Sequence, residues 1–552
     1  MRRRWLVLAP TAALVFALAA PPSGAAGNSR VTVDNDGTNS YTRYNGTSDP
    51  VTTRCSHDKR QQNEPTVAVD PHNTNVVAAG SNDYCTVPNT GEVWSGYYRS
   101  GDGGTTWHES LVPGYPGDTS AAGTASPTLG SCAAAGDPSQ DFDNAGRLFY
   151  AFICFNRGKP INGGIYVSRY LNDGASYDRT VLVKKGSPSA QFAGSGHFQD
   201  KDNVTVDQAP GSPFEGNVYV GWSQYNGKSG NNAVLISRST NHGASFQTPV
   251  RVTSTEHGTA SFVDLNVGPD GALYTTWVRY TGFPVSSAVM LAKSTDGGQT
   301  FGPAVRVASF TLFDSSQFSG NGSADCGDAP FDCPTGFTFS RFSSNSAVEA
   351  DETGVHVVWA GRNSAGQSKV YVRNSSDGVH FTQPSHQIDA VAVGHQWTPD
   401  ISSADGTINV IFYDSRDDPS YSPNIPPGDT AAGSNSGDVV ATFLATSSDG
   451  GGSWSEQRIS THDSNFNWET HGGRTIGFWG DYIYVSAVPG AVNLTWTDSR
   501  DLVPGTDPRE APGDSDNDGF DVLQQPCPPN VSSTDPCLDT GGLDQNIYGS
   551  RV

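Results

Sequence analysis

The chain has 552 residues and a formal net charge of −23 at pH 7, although only 16% of its residues are charged. A strongly negative protein repels nucleic acid and anionic membrane surfaces, so the composition argues against both as partners. The 63 glycines, together with many Ser, Asn and Thr residues, are typical of short strands joined by tight turns.

The first 26 residues have the features of a secretory signal peptide. Arg2, Arg3 and Arg4 form a basic start, an apolar run covers residues 5–20, and small residues follow up to Ala26. Such a segment is removed on export and does not remain as a membrane anchor. No later stretch is long and apolar enough to span a bilayer. We therefore expect a secreted, extracellular protein without a membrane span.

Six short segments repeat one sequence pattern, Ser-x-Asp-x-Gly-x-Thr/Ser-aromatic. Their aromatic ends are 55 to 80 residues apart, and a long, loosely constant period of this kind indicates a repeat architecture. The Asp accepts backbone hydrogen bonds in a tight turn, the Gly supplies positive φ, and the aromatic residue packs between sheets. We call these segments the signature turns: residues 100–107, 170–177, 239–246, 294–301, 375–381 and 447–454.

Seven units surround these turns, and each predicts four strands. A strand, a turn and an apolar strand precede a third strand, the signature turn and a fourth strand. Four strands repeated radially predict an all-β fold, a β-propeller. The seven leading strand pairs fall in residues 64–83, 137–152, 202–223, 263–280, 345–362, 399–416 and 481–500.

The two ends of the chain complete the ring in this prediction. The seventh unit offers a third strand at residues 545–552, and residues 29–35 fit as its missing fourth strand. Closing the ring in this way removes a free sheet edge. We predict a single domain over residues 27–552 with seven four-stranded blades. Six blades is the alternative, if one strand pair belongs to an insertion.

The eight cysteines predict disulfides. An even count behind a signal peptide favours paired cysteines, and eight allow 105 pairings. Their clustering suggests that neighbours pair, which gives Cys55–Cys85, Cys132–Cys154, Cys326–Cys333 and Cys527–Cys537.

One face of the predicted propeller gathers polar residues. The starts of first strands and the ends of second strands emerge on the same face, where a site is expected. Carboxylates there can act as general acid or base, and arginines can grip a carboxylate. The alternative is a ring of Asp–Arg salt bridges between blades. The candidate catalytic residues are Glu64, Asp202, Asp264, Tyr413, Asp414 and Tyr482, and the candidate substrate-binding residues are Arg279, Arg341, Arg362, Arg416 and Arg500.

A separate acidic segment near the end of the chain resembles a calcium loop. Asp514, Asp516 and Asp518 alternate before Gly519, and Asp521 could complete an oxygen cage. The twelfth position is not Glu, so the segment is not an EF-hand. We expect a structural calcium ion there, with a solvated acidic turn as the alternative, and no organic cofactor.

The signature turns and blade strands resemble the Asp-box (BNR) repeats of the sialidase superfamily. The chain is also similar to secreted bacterial sialidase-like proteins through its Glu-Pro, Tyr-Asp-Ser-Arg, Gly-Asp-Tyr and Trp-Thr-Asp-Ser-Arg segments. The resemblance implies an all-β propeller. Asp-box propellers include other glycosidases and non-catalytic binding proteins, so the fold does not by itself imply sialidase activity.

The resemblance also implies roles for some candidates. Sialidases use three arginines, a Tyr nucleophile activated by Glu, and an Asp acid. This chain has Asn63 where their first arginine usually lies, and seven blades are predicted where sialidases have six. What remains is a triad of Arg341, Arg416 and Arg500, with Tyr413 or Tyr482 as nucleophile and Asp202 or Asp264 as acid.

These observations lead to one hypothesis and one alternative. The hypothesis is a secreted, monomeric sialidase-like glycoside hydrolase of the exo-α-sialidase type, acting on an acidic or neutral glycan. The alternative is a non-catalytic propeller that binds glycans or proteins.

Overall fold

We analysed a computed structural model of the full chain. The described residues are 27–33, 40–56, 61–156, 162–187, 196–226, 232–253, 259–281, 286–312, 324–325, 332–333, 345–389, 391–419, 421, 423, 439–464, 479–501 and 545–552. The predicted signal peptide, Arg341 and the four aspartates of the predicted calcium loop lie outside them.

Seven four-stranded antiparallel sheets, the blades, make up the fold. Strand β1 (Ser29–Arg30) comes first in the chain and belongs to the last blade. Blade 1 consists of β2 (Gln62–Val69), β3 (Val77–Asp83), β4 (Trp94–Ser100) and β5 (His108–Leu111). Blade 2 consists of β6 (Ala134–Phe142), β7 (Leu148–Asn156), β8 (Asn162–Leu171) and β9 (Ser176–Lys185). Blade 3 consists of β10 (His197–Val206), β11 (Val218–Asn226), β12 (Ala233–Ser239) and β13 (Val250–Arg251).

The remaining four blades continue in chain order. Blade 4 is β14 (Thr259–Val267), β15 (Leu273–Thr281), β16 (Ser286–Ser294) and β17 (Val305–Thr311), and a small two-stranded sheet, β18 (Ala324–Asp325) with β19 (Asp332–Cys333), follows it. Blade 5 consists of β20 (Ser346–Asp351), β21 (Gly354–Arg362), β22 (Ser368–Ser375) and β23 (His386–Gln387). Blade 6 consists of β24 (Gln396–Ala404), β25 (Thr407–Asp414), β26 (Ala441–Ser447) and β27 (Ser455–Arg458). Blade 7 consists of β28 (Tyr484–Val488), β29 (Ala491–Asp498) and β30 (Asn546–Arg551), and β1 completes it.

The blades close into a ring. The first strand of each blade packs against the first strand of the next, and the contact of β28 with β2 joins the seventh blade to the first. Strand β1 pairs antiparallel with β30, so that Ser29 lies opposite Gly549 and Arg30 opposite Tyr548. The seven-bladed propeller closed by an N-terminal strand is therefore confirmed, and six blades is not the count.

Helix is a minor part of the described residues. The short helices are α1 (Pro50–Cys55), a 3₁₀ turn (Tyr84–Thr86), α2 (Val87–Thr90) and α3 (Ala121–Ala125). Over the described ranges, every helix is too short or too polar to cross a bilayer. The disulfides Cys55–Cys85 and Cys132–Cys154 are confirmed. The predicted pairs Cys326–Cys333 and Cys527–Cys537 include residues outside the described part.

The signature turns lie between the third and fourth strands, as the sequence predicts. In the turn of blade 1, Asp102 Oδ1 accepts the backbone N–H of Thr106 at 2.9 Å and the Ser100 hydroxyl at 2.8 Å. The same contacts recur around Asp296 and Asp449. Blade 2 departs from this pattern, because Asn172 and Asp173 both have positive φ there.

Polar side chains on the first strands tie neighbouring blades together around a central channel of about 210 Å³. In each case a side-chain oxygen accepts the backbone N–H of a residue in the next blade. The pairs are Ser139 with Val204 (3.0 Å), Asp264 with Val348 (2.7 Å), Asp400 with Val485 (2.8 Å) and Ser486 with Val69 (3.0 Å). Because the last pair joins blade 7 to blade 1, these contacts continue across the point of closure.

Candidate functional site

Five first strands carry a bulge at the same place, near one mouth of the channel. The pairing with the second strand shifts by one residue within each bulge. One residue in each has the left-handed backbone that side chains rarely adopt: Glu64 (φ 53), Asp137 (φ 52), Lys201 (φ 53), Phe262 (φ 56) and Thr398 (φ 47). Bulges re-aim side chains, and strained backbone of this kind clusters at functional sites.

Glu64 and Asp137 from two of these bulges, and Asp481 from blade 7, meet around Lys201 from a third bulge. Lys201 Nζ donates to Asp481 Oδ2, and it lies 3.4 Å from Asp137 Oδ2 and 3.9 Å from Glu64 Oε1. We call these four residues the lysine cluster. Lys201 is only 11% exposed, and its partners come from blades 1, 2 and 7.

Hydrogen bonds from neighbouring residues hold the Glu64 carboxyl group in place. Asn82 Nδ2 donates to Glu64 Oε2 at 2.5 Å, while Asn82 Oδ1 accepts the backbone N–H of Asp137 at 2.9 Å. The backbone N–H of Asp481 donates to Glu64 Oε1 at 3.1 Å. Gly480 precedes it at φ 93, and a Cβ there would lie 2.3 Å from Glu64 Cγ. Blades 1 and 7 therefore approach here more closely than any residue but Gly allows.

The carboxyl groups around Lys201 differ in protonation. Burial, and then repulsion from Asp137, raises the pKa of Glu64 well above its usual range. Burial opposes ionisation of Asp137 too, but Lys201 and hydrogen bonds from Glu64 and Asp200 lower its pKa. Burial and repulsion from Asp137 raise the pKa of Asp200 to about 8. These shifts favour the protonated form of Glu64 and Asp200 and the ionised form of Asp137.

Aromatic rings and polar channel residues border the lysine cluster. Lys201 Nζ lies 5.1 Å from the Tyr482 ring centroid and 5.8 Å from that of Phe262. These residues line a cleft that continues to Asp264, Asp400 and the channel. The cleft encloses about 30 Å³, so only a water molecule or one substituent of a larger ligand can enter it.

Four predicted catalytic residues lie at this mouth or in the channel. Glu64 belongs to the lysine cluster and Tyr482 forms a wall of the cleft. Asp202 lines the cleft, and no described residue donates a hydrogen bond to either of its carboxylate oxygens. Burial, and then repulsion from Asp137 and Asp200, raises its pKa well above the usual range. Asp264 lies deeper, where burial raises its pKa to about 7.

The other two predicted catalytic residues do not line the cleft. Tyr413 is buried between blades 6 and 7, where its hydroxyl donates to the carbonyl of Thr497 at 3.2 Å and accepts the Thr497 N–H at 3.0 Å. Burial raises its pKa above the usual range. Asp414 accepts Gln396 Nε2 at 2.8 Å and also binds Arg416.

The predicted arginines do not converge on the cleft. Arg416 pairs with Asp414 at 2.5 Å and with Glu456 at 2.7 Å within blade 6, and it lies 3.8 Å from Asp389, which follows the last strand of blade 5. Arg500 pairs with Asp498 at 2.6 Å within blade 7. The contact of Arg416 with Asp389 joins neighbouring blades, as in the Asp–Arg alternative from the sequence, while the other pairs lie within one blade. Arg279 and Arg362 also lie outside the cleft lining, and Arg341 is outside the described residues.

The sequence places Asp137, Asp200, Lys201 and Asn82 on this face, but it does not single them out as catalytic or substrate-binding candidates. A signal was present for the bulges. Proline follows the left-handed residue at Glu64, Asp137 and Thr398. Because proline inside a strand marks a bulge or an edge, this repeated position indicates where side chains turn towards the axis.

Comparisons with known proteins give a likeness of fold. No family model and no curated protein matches the chain. Among solved structures, the chain is similar to the Hadza microbial sialidase Hz136 (12% identity, 77% of this chain and 72% of that one covered, TM-score 0.39). It is also similar to the α-L-arabinanase of Penicillium chrysogenum in complex with arabinobiose (13%, 71% and 94%, 0.42) and to a leech intramolecular trans-sialidase (12%, 69% and 70%, 0.40). The propeller fold itself is seen in the seven blades of this chain, and these similarities assign neither an activity nor a residue.

Proposed function

We propose that the protein is a secreted glycoside hydrolase that acts on a neutral glycan at the mouth formed by the lysine cluster and Asp200. This proposal rests on neighbouring carboxyl groups whose pKa values are shifted in opposite directions. Acid and base roles in glycosidases follow from neighbouring carboxyls whose environments push their pKa values apart. Here the pKa of Asp137 is lowered, while burial and the charge of Asp137 raise the pKa values of Glu64 and Asp200 beside it.

Asp200 is the proton donor in this proposal. It is the partly exposed member of the three carboxyls, and its pKa of about 8 keeps it protonated at neutral pH. The glycosidic carbon–oxygen bond breaks as the leaving oxygen takes the proton of Asp200. Water adds to the sugar carbon and releases its proton to solvent, and Asp200 regains a proton from solvent. The carboxylates of Asp137 and Asp481 stabilise the positive charge that develops on the sugar ring.

The same charges favour a neutral substrate over an acidic one. Lys201 faces two carboxylates, Asp137 and Asp481, so the site repels a sugar carboxylate. The sialidase activity that the resemblance suggested needs arginines at the cleft, and Arg416 and Arg500 are paired elsewhere. The two disulfides support secretion, because such bonds persist in oxidising compartments. The calcium loop and the monomeric state stay predictions.

A panel of aryl glycosides tests the proposal. The full chain is incubated with 4-nitrophenyl glycosides of neutral sugars and with an aryl sialoside, and reducing ends released from polysaccharides are measured in parallel. We expect turnover of a neutral substrate, with kcat/KM falling as the pH rises past about 8. Asp200→Asn should lower kcat/KM at least about 100-fold, the usual scale for a lost proton donor.

Asp405→Asn is the matched control. Asp405 lies at the other end of a first strand, has φ 51, and accepts the Gly490 N–H at 2.8 Å. Asn tolerates this backbone as Asp does, so activity should not change. Turnover of the sialoside alone would contradict the neutral substrate, and full activity in Asp200→Asn would contradict the assigned donor.

A non-catalytic glycan-binding propeller is the second candidate. The small cleft favours it, because only one substituent of a sugar fits beside Lys201. No turnover on any substrate, together with saturable binding on a glycan array, would replace the first proposal by this one.

A further inference from the structure

Three side chains capable of binding a metal meet at the far end of blades 1 and 2. Asp70 follows the end of β2, His72 lies two residues later, and Asp173 lies in the signature turn of blade 2. One ligand atom from each lies within 4.8 Å of the others, and His72 Nδ1 is 3.8 Å from Asp173 Oδ1. Six residues of strand separate Asp70 from Glu64, so this group lies about 20 Å from the lysine cluster.

One carboxylate oxygen in this group is buried without a donor. Asp70 is 0% exposed, and its Oδ1 accepts the backbone N–H of His72 at 2.8 Å. No described residue donates a hydrogen bond to Asp70 Oδ2. A Cβ placed on Gly146 would lie 3.2 Å from this oxygen and 2.2 Å from Asp173 Oδ1, so both oxygens face the same point.

The corresponding aspartates of the next two blades have the partner that Asp70 lacks. Asp143 in blade 2 and Asp207 in blade 3 also accept, through Oδ1, the N–H two residues later, at 3.0 Å in both. Their second oxygens are satisfied, however. Asp143 Oδ2 accepts Arg147 Nε at 2.5 Å, and Asp207 Oδ2 accepts the Ser212 hydroxyl at 2.6 Å. In blade 1 the same position faces a carboxylate and an imidazole, which an external cation would satisfy.

We propose that Asp70, His72 and Asp173 bind a divalent transition-metal ion of the Zn²⁺ class and thereby fasten blade 1 to blade 2. One imidazole and two carboxylates are a ligand set of this class, whereas Ca²⁺ takes six to eight oxygens. Two ligands about 2.1 Å from a tetrahedral ion lie about 3.4 Å apart, close to the 3.8 Å between His72 and Asp173. The His72 side chain is 59% exposed, so water can fill the fourth position.

Metal titration of the full chain tests this site. The protein is treated with a chelator, dialysed, and titrated with Zn²⁺ and with Ca²⁺ by calorimetry, while the melting temperature is followed. We expect saturable Zn²⁺ binding that raises the melting temperature and depends on His72, whereas any Ca²⁺ bound by the predicted loop at residues 514–521 should not depend on His72. His72→Gln and Asp70→Asn should each weaken this binding by at least about tenfold or remove one ion per chain.

A matched histidine serves as control. His242 lies in the signature turn of blade 3 and contacts Arg147 through Nδ1 at 3.0 Å. His242→Gln should bind Zn²⁺ as the unaltered chain does. Co²⁺ gives a second readout, since its visible absorption band should disappear in His72→Gln alone. Equal Zn²⁺ binding in His72→Gln, no saturable Zn²⁺ binding at all, or Ca²⁺ binding that is lost in His72→Gln would each overturn the proposal. Because His72 is exposed, its substitution leaves the fold intact even if Asp70→Asn does not.

Discussion

Replacing Lys201 by Met removes the positive charge of the lysine cluster and keeps the length of the side chain. At an effective dielectric constant of about 20, the charge pair of Lys201 and Asp137 at 3.4 Å is worth about 5 kcal/mol, before the cost of burying the charges. Removing one partner from a buried ion pair costs about 3–5 kcal/mol in practice. We expect Lys201→Met to lower the free energy of unfolding by about that amount at pH 7.5.

The loss should depend on pH. The buried lysine has a pKa raised above its usual value by Asp137 and Asp481 against the effect of burial, so its contribution persists at every pH below about 10. In the variant, the carboxyls face one another without a cation and their folded-state pKa values rise. A group with a raised pKa contributes stability at low pH that is lost as the pH increases. The difference between variant and unaltered chain should therefore shrink at pH 5.

Urea unfolding followed by tryptophan fluorescence at pH 5, 6 and 7.5 measures this difference. Lys293→Met is the control, because Lys293 is also largely buried but has a single carboxylate, Asp270, at 3.9 Å. It should cost about 1 kcal/mol or less. A loss below about 1 kcal/mol in Lys201→Met, or a loss that is the same at all three pH values, would refute the electrostatic account of the cluster.

Three further predictions concern the scaffold. Replacing Cys55 and Cys85 by Ser should lower stability by about 3–4 kcal/mol in urea unfolding, since their disulfide closes a segment of 30 residues. Asp102→Ala should cost about 1 kcal/mol at pH 7 in the same assay. Slight burial raises the pKa of Asp102, but hydrogen bonds in the signature turn outweigh this effect and lower the pKa to about 2. The difference in stability should therefore persist down to about pH 4 and vanish as the pH falls through 2. Deleting residues 27–33 removes the outer strand of blade 7 with buried Val31, and size-exclusion chromatography should show aggregation.

The architecture could be predicted from the sequence because it is repeated. Six signature turns and seven strand pairs each carry a weak signal, and their regular order makes the signals add. The missing strand of blade 7 could be placed at residues 29–35 because a closed ring leaves no free edge. Ser29–Arg30 does occupy that position.

The site could be predicted only in part, because backbone detail decides where side chains point. The end of the strands that the sequence indicates carries Glu64, Asp202 and Tyr482 at the candidate site. The lysine at the centre was not singled out, since its role depends on a bulge that turns Lys201 towards the axis.

Arg416 and Arg500 are held away from the cleft for a local reason. In both Asp-Ser-Arg segments the Asp accepts the backbone N–H of the Arg two residues later, at 2.6 Å in Asp414–Arg416 and 2.9 Å in Asp498–Arg500. The same Asp then binds the guanidinium. The sequence pattern shows that the Asp and the Arg are close along the chain, but it does not show that they form an ion pair with each other.

The shared sheet of β1 and β30 separates the order of synthesis from the order of assembly. Arg30 and its partner Asn546 are 516 positions apart. The strand that is synthesised first can therefore pair with β30 only after almost the whole chain has been made. Until then six complete blades stand beside an unfinished one, and completion is a single late event. A circular permutant that joins residues 27 and 552 and starts at a boundary between two other blades would make that event local, and it should refold faster than the natural order.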